Sequence, residues 1–296
     1  MELKKAARID LLKDSMLSQP RYVSMEQAMI ITRTYQEHEQ ELVILKRAHA
    51  LHNALCELEI GIEPQELIVG NRTKGVRYGV VFPESGISWV DEELETLPTR
   101  PQDKFLVRPQ DIQTFREVIK PYWKGKSLED VLKQRYGEEI SAIATVVKIN
   151  QKDHAQGHIC PNVKEWLEKG PAGLKEEAQH HLAACTKEQR PFYESIVLVM
   201  DGVCKFLMRY HDELYREAKK HAEWKQDMEE VARICKRLSM QPAKTFHEAV
   251  QSLWILFVVL HMESNASSFS PGRLDETLYP YYKNDLQEGR IDEQRA

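Results

Sequence analysis

The chain has 296 residues, 42% of them hydrophobic and 29% charged, which is enough apolar content for a buried core and argues against disorder. A formal net charge of -5 gives neither sign the dominance that a nucleic-acid or anionic-membrane partner would call for. The five cysteines, Cys56, Cys160, Cys185, Cys204 and Cys235, form no C-x-x-C pair and suit reduced thiols in a cytoplasmic protein better than a disulfide framework.

The N-terminal run Met1 to Leu17 alternates charged and apolar residues, so it lacks the unbroken apolar stretch of a secretory signal. Helical signals begin at Ser24-Met25-Glu26-Gln27, a capping-box pattern, and predict one long helix to about Leu58. Ala28, Ile31, Tyr35, Leu42, Leu45, Ala48, Leu51 and Leu55 recur at three- and four-residue steps or multiples of them, which places an apolar stripe against a core. From Ile62 to Arg100 short β-branched runs mix with Gly and Pro, predicting loop with short strands.

Three further helices are expected, from Pro109 to Trp123, from Ser127 to about Thr145 and from Asn162 to about Ala184. Between Arg190 and Ser239 the apolar set Phe192, Ile196, Val197, Val203, Phe206, Leu207 and Tyr210 precedes a charge-rich return, the pattern of an antiparallel helical hairpin. A second capping box, Thr245-Phe246-His247-Glu248, opens a helix to about Met262. Its run Leu253 to Leu260 is too short to span a bilayer and reads as a buried helix segment. Asp292 is a plausible N-cap with barely one turn after it, so the chain is expected to stop inside its fold.

Two segments carry the chemical interest. Glu263 to Asp275 (ESNASSFSPGRLD) follows an apolar helix at once, and so delivers a carboxylate, an amide and several hydroxyls to one spot, either as a pocket floor or as an ordinary helix cap and loop. Asn150 to His158 contains Gly157, where the backbone can bend, beside an imidazole that titrates near neutral pH.

His154 and His158 have an i,i+4 spacing that could bind metal on a helix, but no adjacent Glu completes a zincin motif and no metal ligand is assigned. Cys160 is read as structural. His180-His181 and His211 are read as solvated or packed side chains, and Arg72 and Glu84 as loop residues held by a salt bridge or backbone hydrogen bonds. Neither G-x-S-x-G nor a phosphate-binding glycine motif occurs.

Taken in order, Glu66-Leu67-Ile68-Val69-Gly70-Asn71, Pro83-Glu84, Arg100-Pro101, Gly157-His158, Thr245-Phe246-His247-Glu248-Ala249, Glu263-Ser264-Asn265 and Gly272-Arg273-Leu274-Asp275 resemble the N-terminal part of a glycyl-radical enzyme. The resemblance runs through essentially the whole of 1–296 and points to the pyruvate formate-lyase-like branch, which includes glycerol and diol dehydratases and choline trimethylamine-lyase. It implies a mainly α chain with a few short strands, forming an incomplete N-terminal portion of a ten-stranded α/β barrel. It also implies a stored glycyl radical installed by a separate S-adenosylmethionine iron-sulfur activating enzyme, with no cofactor bound directly by this chain.

In the glycerol dehydratase-like members the positions matching Asn150, His158 and Ser268 contact substrate hydroxyls, so the resemblance makes these three substrate-binding residues, with His158 a candidate proton relay. Ser267 stands where dehydratases usually have a histidine, which changes the donor pattern and puts glycerol or a close diol in doubt as substrate. The family's Gly-Cys-x-Glu thiyl loop and Arg-Val-x-Gly-Tyr radical loop do not occur in 1–296. The expected partners are therefore a small polar substrate, the activating enzyme, the C-terminal remainder of the same enzyme and a second copy in a homodimer. The alternative is a non-catalytic helical scaffold or binding module derived from such an enzyme.

Overall fold

The computed structural model describes residues 2–146, 160–265 and 268–293, with side chains from Arg8 onward. Helix α1 (Glu2–Ser18) leads into strand β1 (Val23–Ser24). The predicted long helix is two, α2 (Glu26–Glu37) and α3 (Val43–Glu57); Ser24 is a strand residue whose hydroxyl accepts the Glu26 N–H (3.4 Å), while the N-cap position falls on Met25 and no capping box forms. The seven-residue gap between Tyr35 and Leu42 in the apolar stripe hid the break. Tyr35 is buried whereas Leu42 is 59% exposed, because the chain turns back at His38 and α3 packs against α2.

Residues 62–100 are mostly loop, as composition predicts, with strand β2 (Gly79–Val80) and a short helix α4 (Ser88–Glu93). Strand β2 lies parallel to β1, pairing Val23 with Gly79 and Ser24 with Val80, and Tyr22 bridges to Leu106 on the other edge. This is the only named sheet among the described residues.

The predicted helix from Pro109 to Trp123 contains a π-helical turn, Phe115–Ile119, between α5 (Pro109–Thr114) and α6 (Lys120–Trp123). Pro121 has no N–H to donate, and a π turn just before it is one way to absorb the break in the ladder. Helix α7 (Leu128–Ala144) starts from Ser127, whose hydroxyl accepts from the Asp130 N–H. Helix α8 (Val163–Leu182) starts from Asn162 but kinks at Gly170 (φ 64°), directly before Pro171. Sequence periodicity read through that kink.

The predicted hairpin is present as α9 (Arg190–Ala218) and α10 (Lys225–Leu238). Helix α9 is the structural axis, packing against α3, α8 and α10 through Val203, Phe206, Leu207 and Tyr210, while Phe192, grouped with these by periodicity, is 53% exposed. Helix α11 (Phe246–Ser264) opens with the full capping box at Thr245 and Glu248 and ends at Asn265; α12 (Leu274–Gln287), for which sequence analysis assigned no element, packs against it. Among the described residues no helix is long and apolar enough to cross a membrane.

Two apolar cores result. The larger joins α3 and α8 to α11; the smaller sets α2 against Phe82, Leu94, Phe115 and Trp123. The larger is tied to the loop after Glu66 by one face of α11. His247 Nε2 bonds the Leu67 carbonyl (2.7 Å), and Trp254 Nε1 donates to the Gly70 carbonyl (2.9 Å). Between them the buried Gln251 amide pairs both ways with Val69, accepting its N–H (2.8 Å) and donating to its carbonyl (2.7 Å). Positions 247, 251 and 254 follow helical spacing, so one helix face satisfies a loop that has no strand partner there.

Replacing Gln251 by Leu leaves two buried backbone groups of Val69 without partners. The expected cost is about 3 kcal/mol of unfolding free energy in urea denaturation, against under about 1 kcal/mol for a change at an exposed position such as Met240→Leu.

Candidate functional site

The C-terminal end of α11 is where the segment Glu263 to Asp275 begins, and three elements hold it. Gln27 of α2 donates to the Met262 carbonyl (2.9 Å). Arg47 of α3 donates to the Glu263 carbonyl (3.2 Å) and pairs with its carboxylate. Arg72, from the loop after Gly70, donates to the Asn265 side chain (3.0 Å). A helix C-terminus carries partial negative charge on its unpaired carbonyls, so cationic groups placed there are favoured. Asn265 itself is left-handed (φ 48°, ψ 39°), a conformation that Asn adopts more readily than other non-glycine residues, and it sends the chain away from the helix axis.

Arg47 also pairs with Glu84 (2.8 Å), whose carboxylate accepts from the Tyr35 hydroxyl. The Glu84 carboxyl is pushed up by burial, with Arg47 opposing, and the Tyr35 hydroxyl is raised by burial and by the Glu84 charge beside it. Burial works against the Arg47 cation, but Glu84 and Glu263 outweigh it and hold the guanidinium charged. Arg47, Glu84 and Glu263 are thus one charge triad joining α3, the Pro83-Glu84 loop and the end of α11. A salt bridge was one explanation offered for Glu84, and Arg47, which sequence reasoning passed over, supplies it. The available signal was weak, a lone Arg on the partly buried side of an amphipathic helix.

Arg72 departs from expectation at its side chain. Among the described residues no salt bridge holds it; its backbone N–H donates to Asn71 Oδ1 (2.8 Å), its guanidinium reaches Asn265 and, at 3.5 Å, Gln27 Oε1, and its buried Nε has no partner there. Burial without a counter-charge lowers its pKa to about 10.

Of the sequence-predicted substrate residues, Asn150, His158 and Ser267 lie outside the described residues, as does His154. Ser268 is half-buried beside the buried Phe269, whose ring packs edge-on against His261 of α11. Cys160, read as structural, is exposed, and its Sγ sits against Gly272: a Cβ at that glycine would lie 3.4 Å from the sulfur. Gly272 has φ +74°, a conformation that favours a residue without a side chain. The residue that follows the Asn150 to His158 segment by two positions therefore touches the Glu263 to Asp275 segment. Elsewhere, His211 bonds the Ala232 carbonyl (3.0 Å) and packs on Tyr215, while His180 and His181 lie exposed on α8.

The helical fold that positions these residues is shared with solved glycyl-radical enzymes. A glycyl radical enzyme from Archaeoglobus fulgidus superposes with a TM-score of 0.92 at 28% identity, over 97% of this chain and 38% of that one. The glycerol-bound form of the B12-independent glycerol dehydratase from Clostridium butyricum superposes with a TM-score of 0.88 at 30% identity, over 94% of this chain and 37% of that one.

The model of the pyruvate formate lyase-like family matches residues 2–296, and the chain belongs to that family. Among curated relatives, isethionate sulfite-lyase of Oleidesulfovibrio alaskensis is 30% identical over 93% of this chain and 36% of its own length. The chain thus spans about a third of the length of the relatives it matches.

Two outcomes follow from the charges. Arg47→Met strands the Glu84 and Glu263 carboxylates and is expected to cost ~2–4 kcal/mol in urea denaturation, a loss eased by adding Glu84→Gln. Glu66, in the loop that α11 clamps, is raised by burial to about 7 from an ordinary value of 4.5. The folded chain therefore holds this proton more tightly than the unfolded chain. Its stabilising effect is full below pH 4.5 and is lost as pH rises to about 7. Glu66→Gln should flatten that decline, as read from unfolding free energies at pH 5 and pH 8.

Proposed function

We propose that this chain is the substrate-orienting N-terminal portion of a glycyl-radical lyase or dehydratase that eliminates water or another leaving group from a small polar substrate. Asn150, Ser267 and Ser268 orient the substrate by hydrogen bonds, and His158 bonds the leaving group or relays its proton. The observation that supports the reading is the approach of the Cys160 sulfur to Gly272, which brings the chain two residues after His158 beside the Glu263 to Asp275 segment. A charge triad and Arg72 hold the start of that segment, at Glu263 and Asn265, as a site that binds by orientation requires.

The radical itself lies beyond these residues. Neither Gly-Cys-x-Glu nor Arg-Val-x-Gly-Tyr occurs in the sequence, so no radical step is carried by 1–296 and this chain alone is inactive. In the full enzyme a glycyl radical, installed by an S-adenosylmethionine iron-sulfur activating enzyme in the cytoplasm, supplies hydrogen abstraction. The chain's own residues bind the substrate, orient it and move a proton. Its helical shell forms part of the wall of a ten-stranded barrel completed by the C-terminal remainder, in a homodimer. Ser267 in place of the dehydratase histidine directs the site to a substrate other than glycerol.

The test begins with the reading frame that encodes the chain. The expected outcome is a longer protein with both radical loops that yields a glycyl-radical signal by electron paramagnetic resonance after activation. In it, Ser268→Ala and Asn150→Ala each lower kcat/KM roughly tenfold without changing the radical signal. A frame without either loop would sink this reading in favour of a non-catalytic scaffold.

A further inference from the structure

Among the described residues, one cluster outside the clamped helix end gathers metal-binding side chains. His38 closes α2, Glu41 lies in the five-residue turn after it, and His49 sits in the second turn of α3. One donor atom from each lies within 4.8 Å of the other two. His38 Nδ1 is 2.9 Å from Glu41 Oε1, and His49 Nε2 is 3.5 Å from Glu41 Oε2, so one carboxylate faces both imidazoles. The rings themselves stack, with centroids 3.9 Å apart and planes inclined by 11°.

The backbone beneath them is set in place. The His38 N–H is held by the Thr34 carbonyl (3.0 Å), and the Glu41 N–H by the His38 carbonyl (3.0 Å), which fixes the acid under the first ring. His49 is carried by the regular turns of α3.

Two imidazoles and a carboxylate are the donor set of three-ligand zinc centres.

The three donors are gathered within 4.8 Å, while a tetrahedral centre with bonds of about 2.0–2.1 Å needs them about 3.3 Å apart. The rings stack, so binding requires one of them to turn until both nitrogens face the same ion beside the shared carboxylate. Two nitrogens among three donors select against magnesium and calcium, which prefer all-oxygen shells. The side chains are 25–38% exposed, which leaves a fourth position to water and gives the ion a path in.

We propose that His38, Glu41 and His49 form a binding site for a divalent transition-metal ion of the zinc type. The ion staples the end of α2 to α3, two residues beyond Arg47, and so braces the turn of α3 that carries the charge triad. This site is independent of the substrate reading above.

The test takes this chain stripped with a chelator and titrated with zinc chloride by calorimetry. One ion per chain is expected, with a rise in melting temperature. His38→Ala and His49→Ala should each weaken binding by at least about a hundredfold, because loss of a supporting residue alone typically costs 10–100-fold. A His180→Ala/His181→Ala double change should leave it unaltered. The metal-free melting temperatures of all variants, expected to match the parent chain, show that they fold. X-ray absorption of the zinc-loaded chain should show nitrogen and oxygen neighbours at about 2.0 Å. A sulfur shell at about 2.3 Å would assign the ion to the cysteines and overturn the proposal. Binding unchanged in His38→Ala and His49→Ala, or no saturable binding by the parent chain, would do the same.

Discussion

The structure turns on the charge at one helix end. Helix α11 terminates inside the molecule, where its last carbonyls and the Glu263 carboxylate would be stranded without cations. Arg47 and Arg72 come to it from α3 and from a loop, and Gln27 adds a neutral donor from α2. Each donor belongs to a different element, so the helix end from Met262 to Asn265 is held only when α2, α3, α11 and the Gly70 loop are all in register. This ties the geometry of a small polar segment to the packing of both cores.

The same helix serves two roles from two parts of its surface. Its His247, Gln251 and Trp254 face reads the backbone of residues 67–70, and its C-terminus receives the arginine that this loop delivers two residues later. Gly70 makes the delivery possible. With φ +137°, and with Trp254 and Ile255 atoms 3.1 Å from where a Cβ would stand, it lets the loop run flat against the helix. The Glu66 to Asn71 motif thus has a physical meaning beyond the resemblance that it carried: it is a backbone segment shaped to be held by a helix face.

The two loop residues Glu84 and Arg72 show how far local reading reaches. Glu84 sits in a triad whose other members are 37 and 179 positions away in the sequence, and only packing of α3 against α11 brings the three together. Arg72, read as a loop residue held by a salt bridge or backbone hydrogen bonds, instead has its Nε buried with no carboxylate partner among the described residues, which local composition does not foretell. The His38, Glu41 and His49 cluster is similar. Its members span a turn that periodicity had merged into one helix, so a contact made by chain reversal could not be seen.

By itself the sequence determined the helical class, the hairpin of α9 and α10, the caps at Ser127, Asn162 and Thr245, and the abrupt change from apolar to polar at Glu263. These depend on side-chain periodicity and on hydrogen bonds that reach three or four residues. It also carried, in ordered short motifs, the membership in the pyruvate formate lyase-like family. Tertiary structure alone decided where helices break, at His38 and Gly170, and which charges meet. It also set the Cys160 thiol against Gly272. Such contacts bridge dozens to hundreds of residues, and their energies depend on burial that is defined only once the helices have packed.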